Sequence, residues 1–111
     1  MEESNVIAVL AALAQSSRLR VFRQLVVAGA GGLTPGLMAA ELGLPAATLS
    51  FHLKALVQAG LIMPTRDGRH LVYRADYARM QALLAFLTDN CCHGEPCMAV
   101  EPLAGNCRRA A

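Results

Sequence analysis

The chain has 111 residues, 55% of them hydrophobic and 16% charged, and a formal net charge of +2. That length fits one domain, and the apolar content exceeds what one small core hides, so a second copy is expected to cover the remainder. The charge is too mild to establish a polyanion partner by itself. No apolar run reaches about 18 residues without a charge or breaker, and no secretory pattern stands near the start, so the expectation is a cytoplasmic protein that does not span a membrane.

Ser4 is expected to cap a short amphipathic first helix that carries Val6, Val9, Leu10 and Leu13 at helical spacing. Ser16 or Ser17 would cap a second helix, with Leu19, Phe22, Leu25 and Val26 as its inward stripe up to Gly29. The run Gly29-Ala30-Gly31-Gly32 reads as a loop. Thr34-Pro35 is an N-cap and first-position pair, opening a third helix through Met38, Ala39 and Leu42 that Gly43 closes. Leu44 and Pro45 lead to a fourth helix from Ala46 to Gln58, with Leu49, Leu53 and Leu56 inward and Gly60 beyond its end.

Between Leu61 and Arg74 two strand-like runs flank Asp67-Gly68, which read as the two-residue loop of a type I′ hairpin. Asp76 then caps a last helix carrying Tyr77, Met80, Leu83, Leu84 and Leu87 and ending near Asn90. This order predicts a mainly α (α+β) fold: a winged helix-turn-helix of five helices with a two-stranded β-hairpin wing over residues 1–90, then a cysteine-containing tail, 91–111. The apolar stripes of the first and last helices are expected to pack across a two-fold axis, as in a homodimer.

At 100° per residue the fourth helix turns Ala47, Phe51, Lys54 and Gln58 away from its apolar side, with Thr48, Ser50 and His52 on the flanks. In a major groove the Phe51 ring would meet a thymine methyl, hydroxyl and imidazole groups would reach base edges, and Lys54 would take a phosphate. The helix alone does not separate that reading from a solvated face with one stray aromatic. The hairpin separates them, because a two-residue Asp67-Gly68 loop sets Arg66 directly across from Arg69, a like-charge pair that an anion would relieve. His70 and Arg74 add positive charge nearby, and such a wing tip suits phosphate or minor-groove contact. Double-stranded DNA is therefore the expected partner. An enzyme is not expected, since the chain has no cofactor loop and a winged-helix core leaves little room for a substrate pocket.

All four cysteines lie in the last quarter of the chain, and in a reducing compartment they are ligands or redox groups rather than a disulfide framework. Cys91 and Cys92 are adjacent, and Gly94-Glu95-Pro96 can turn the chain so that Cys97 joins them. Three thiolates suit trigonal coordination of a thiophilic ion such as trivalent arsenic or antimony. Zinc prefers four ligands, which His93 or Cys107 would have to complete, and the spacing lacks paired C-x2-C knuckles. Thiol oxidation and an inert tail are the remaining readings.

Taken together these residues resemble the ArsR/SmtB family of metal-sensing winged-helix repressors. The likeness runs through Leu13-Ala14-Gln15-Ser16-Ser17-Arg18-Leu19-Arg20, Leu49-Ser50-Phe51-His52-Leu53-Lys54-Ala55-Leu56, Ala59-Gly60-Leu61-Ile62, and the wing Arg66-Asp67-Gly68-Arg69-His70 to Tyr73-Arg74. It implies a homodimer on a two-fold symmetric operator, with Ser50 and His52 reading bases beside Thr48, Phe51 and Lys54, and Arg66 and Arg69 at the wing. The Cys-x-Cys that several members carry on the third helix is missing from Gly36-Leu37-Met38-Ala39-Ala40-Glu41-Leu42. A last-helix zinc site is missing too, as only Asp76 and Asp89 offer acids there and no histidine precedes His93. Asn90-Cys91-Cys92-His93-Gly94 with Cys97 instead looks like the C-terminal site of a smaller group of arsenic-responsive members. That implies As(III) as inducer, with Sb(III) or organoarsenicals as variants, rather than zinc.

Overall fold

The computed structural model describes residues 1–89. The elements run α1 (Glu3–Leu13), α2 (Ser16–Ala28), a 3-10 turn (Gly29–Gly31), α3 (Pro35–Leu42), α4 (Ala46–Gln58), β1 (Ile62–Asp67), β2 (His70–Ala75) and α5 (Tyr77–Leu87). Five helices and a two-stranded antiparallel hairpin make the winged helix-turn-helix that the sequence predicts.

Local chemistry explains most of the boundaries. Thr34 accepts the Leu37 amide, Pro35 holds the first helical position, and Gly43 takes the left-handed conformation that closes α3. Asp76 caps α5 by accepting the Arg79 amide at 3.0 Å. The serine caps expected earlier in the chain do not form. Ser4 lies inside the first turn of α1, which has no side-chain cap, and the Gln15 Oε1 caps α2 by accepting the Arg18 amide at 2.8 Å. The glycine-rich run is partly ordered as a 3-10 turn, and α5 ends at Leu87, with Thr88 as its C-cap.

The core joins Val6, Val9 and Ala12 of α1 to Val21, Phe22 and Leu25 of α2, Met38 of α3, and Leu49, Leu53 and Leu56 of α4. Leu61, Ile62, Ala75 and Leu83 close it from the wing and α5. In α2 the inward stripe is Val21, Phe22 and Leu25, while Leu19 and Val26 of the expected stripe are exposed. The hairpin gains a partner that periodicity does not reveal. Leu33 bridges to Tyr73, each donating its amide to the other's carbonyl at 3.0 and 2.9 Å, so the chain before α3 holds the wing's second strand.

Candidate nucleic-acid interface

The buried side of α4 (Leu49, His52, Leu53, Leu56) fixes its outer side, where Ala47, Thr48, Ser50, Phe51, Lys54 and Gln58 are all exposed. Phe51 is 63% exposed, a large solvent-facing ring on the second helix of a helix-turn-helix. Pro45 precedes the helix and no side chain caps it, so its first amides remain open to an anion such as a phosphate.

His52 departs from its expected flank position. Its side chain is buried at 7% exposure, and its Nδ1 accepts from Arg18 Nε at 3.3 Å. Packing of α2 against that side of α4 covers the imidazole, so His52 braces the helix in this arrangement rather than facing outward with Ser50. The Arg18 guanidinium also lies 5.7 Å from the centre of the Phe51 ring, and that ring meets His52 edge-on at 5.6 Å. Sequence reasoning did not single out Arg18, whose side chain comes from a helix more than thirty positions away.

The wing is also shifted from expectation. Asp67 pairs with His70 and Arg66 with Leu71, so the two-residue loop is Gly68-Arg69, not Asp67-Gly68. Gly68 takes φ of 63° at the first loop position, where primed turns need a positive angle. Arg66 therefore does not face Arg69, and the like-charge argument for an anion between them falls. Arg66, Arg69 and His70 are nonetheless all exposed at the tip. Arg74 is engaged with the glycine-rich turn instead, donating from Nε to the Ala30 carbonyl at 2.8 Å.

Two side-chain bonds tie α5 to α2 and to the end of α4. The Tyr77 hydroxyl donates to the Val26 carbonyl at 3.0 Å, and Arg79 Nε donates to the Ala59 carbonyl just past α4 at 3.3 Å. Ile7 and Leu10 of α1 and Phe86 and Leu87 of α5 stay exposed, at 60%, 43%, 40% and 55%. Cys91, Cys92 and Cys97, with His93 and Cys107, lie outside the described residues. Among the described residues no three His, Cys, Asp or Glu side chains are grouped to hold a metal, and no helix is long and apolar enough to cross a membrane.

Residues 13–65 match the family model of a helix-turn-helix domain. Over 113 aligned residues, 95% of this chain and 89% of the relative, the chain is 34% identical to the HTH-type transcriptional regulator CmtR of Mycobacterium tuberculosis. The solved structure of that cadmium metal-sensor is similar at a TM-score of 0.56 and 31% identity, over 86% of this chain and 98% of that one. A homodimeric winged helix-turn-helix DNA-binding domain from Mycobacterium bovis, described as a possible ArsR-family regulator, gives a TM-score of 0.61 at 29% identity, covering 83% and 85% of the two chains. A possible transcriptional regulator for arsenical resistance gives 0.58 at 27% identity, covering 92% and 95%. With this relationship spanning nearly its whole length, the chain belongs to the ArsR family of winged helix-turn-helix transcriptional regulators.

Proposed function

We propose that this regulator represses transcription as a homodimer on operator DNA and releases it when a trivalent arsenical or antimonite is captured by the thiolates of Cys91, Cys92 and Cys97. The two α4 helices would enter successive major grooves about 34–36 Å apart. Thr48, Ser50 and Phe51 would meet base edges, and Lys54, Arg66 and Arg69 would meet phosphates. The exposed apolar side chains of α1 and α5, and the homodimeric state of the similar M. bovis domain, support the pairing.

The observation that carries the reading is the donor set and its place in the chain. Three soft sulfur ligands fall between positions 91 and 97, directly after a helix whose first turn is bonded to α2 and to the end of α4. Three thiolates with no fourth strong ligand suit the trigonal preference of trivalent arsenic and antimony. The similarity to a possible regulator for arsenical resistance points the same way. Capture at the tail would bias how α5 holds the heads, and a coupling of about 1–3 kcal/mol, roughly 5–150-fold in affinity, suffices for induction. A second reading, a soft divalent ion at the same thiolates, is favoured by the similarity to a cadmium sensor.

The test is fluorescence anisotropy on a duplex that the protein selects from a randomised library, with phosphine-reduced protein titrated by arsenite or by cadmium. Arsenite is expected to release the duplex from wild type but not from Cys91→Ser, Cys92→Ser or Cys97→Ser, all of which still bind. Release by cadmium alone selects the second reading, and release by neither overturns both.

A further inference from the structure

Arg18 sits at the third position of α2, its backbone amide held by the Gln15 cap, and its side chain reaches across to the reading helix. The guanidinium Nε can only donate, so the 3.3 Å bond to His52 Nδ1 requires that nitrogen to be unprotonated and puts the proton of the neutral ring on Nε2. The carbon of the same guanidinium is 5.7 Å from the Phe51 centroid, inside cation–π range. One cation thus orients two consecutive residues of α4, one buried and one exposed.

Only Nε is used in that bond. Among the described residues the terminal amino groups of Arg18 have no hydrogen-bonding or carboxylate partner, and although the residue as a whole is half-buried, these unpartnered groups are not buried and reach solvent. A charge held beside an exposed aromatic on a DNA-reading helix, with its paired N–H donors unspent, matches the forked geometry that arginine offers to a phosphate.

We infer that Arg18 is a DNA-contacting residue: its terminal amino groups grip a backbone phosphate beside the groove, while its Nε holds the buried His52 brace and its cationic face orients the exposed Phe51 ring. The inference rests on α4 being the DNA-reading helix.

Full-length wild type, Arg18→Ala, Arg18→Lys and Arg18→Gln are titrated with a duplex selected by wild type from a randomised library and with a scrambled duplex, across a series of salt concentrations. Loss of one phosphate contact per protomer lowers the slope of log affinity against log salt by about 0.9 per protomer. Arg18→Ala is expected to bind both duplexes about tenfold or more weakly, with the slope reduced by that amount. Arg18→Lys should restore the slope, since it keeps the charge. Arg18→Gln, which stays a donor without charge, should lose the slope like alanine and stands in for it if alanine impairs folding. Nitrogen NMR of free wild type should show the Nε2–H form of His52, which becomes mixed in Arg18→Ala. If Arg18→Ala and Arg18→Gln keep the wild-type slope, the phosphate contact is overturned, even where affinity falls through a displaced His52. If wild type selects no duplex at all, the reading of α4 fails and takes this inference with it.

Discussion

Replacing Gly32 by alanine should detach the wing from its brace. Gly32 has φ 66° and ψ −173°, a region that side-chain-bearing residues essentially do not occupy, and forcing one there costs about 1–3 kcal/mol. An added Cβ would stand 2.5 Å from the Tyr73 carbonyl oxygen, 2.7 Å from Val72 Cγ1 and 2.8 Å from Arg74 Cγ. Two of those neighbours belong to side chains, but the nearest is backbone and has little room to yield, so overpacking adds about 1–3 kcal/mol. Relief requires moving the very segment where Leu33 and Tyr73 exchange hydrogen bonds at 3.0 and 2.9 Å. The expected loss is about 3 kcal/mol or more, which in a domain of this size lowers Tm by more than about 10 °C. Gly31 provides the control, because its added Cβ meets nothing within 4 Å. Urea unfolding at fixed protein concentration should find Gly31→Ala unchanged or slightly stabilised and Gly32→Ala strongly destabilised, with the Tyr73 amide losing its protection from hydrogen exchange. Equal stability of the two variants would refute the reasoning.

The two sides of α4 should separate fold from function. Leu49→Ala, at a site 1% exposed, should cost about 2–5 kcal/mol in urea unfolding, whereas Phe51→Ala, at 63% exposure, should change stability by less than about 0.5 kcal/mol and weaken duplex binding about tenfold in the anisotropy assay. Placing lysine at both Ile7 and Leu87 should convert the proposed dimer to monomer by light scattering, while Val27→Lys on α2, 82% exposed, should leave that dimer intact.

The helix-turn-helix was legible because its boundaries are set by neighbours in sequence. Thr34-Pro35, Gly43 and Asp76 act on amides and carbonyls three or four positions away, and α3 and the start of α5 fall where those residues place them, while α4 begins directly after Pro45. The features that escaped depend on contacts across the chain. His52 lies at the edge of the apolar arc of α4, and only the arrival of α2 with Arg18 decides that it is covered. The bridge from Leu33 to Tyr73 joins segments forty positions apart and leaves no periodic trace. In the wing, the Asp-Gly pair suggests the whole loop, yet Asp67 remains in the ladder opposite His70 and Gly68 supplies the positive φ at the first position of a Gly68-Arg69 loop. The Gln15 cap shows the same limit at short range, since a side-chain amide outcompeted two adjacent serines.

The attachment of α5 gives it the mechanics of a lever. Tyr77 and Arg79 anchor its first turn, next to the Asp76 amide that donates to the Leu61 carbonyl at 2.8 Å, whereas Phe86 and Leu87 at the other end are exposed. Eleven helical residues span about 16 Å, so a tilt of roughly 10° about that pivot would move the far end by about 3 Å and would draw Leu83, seated in the core, out of its packing. The converse holds as well: a small pull on the outer end is delivered as torque at the fulcrum, which is the bond to the carbonyl terminating α4.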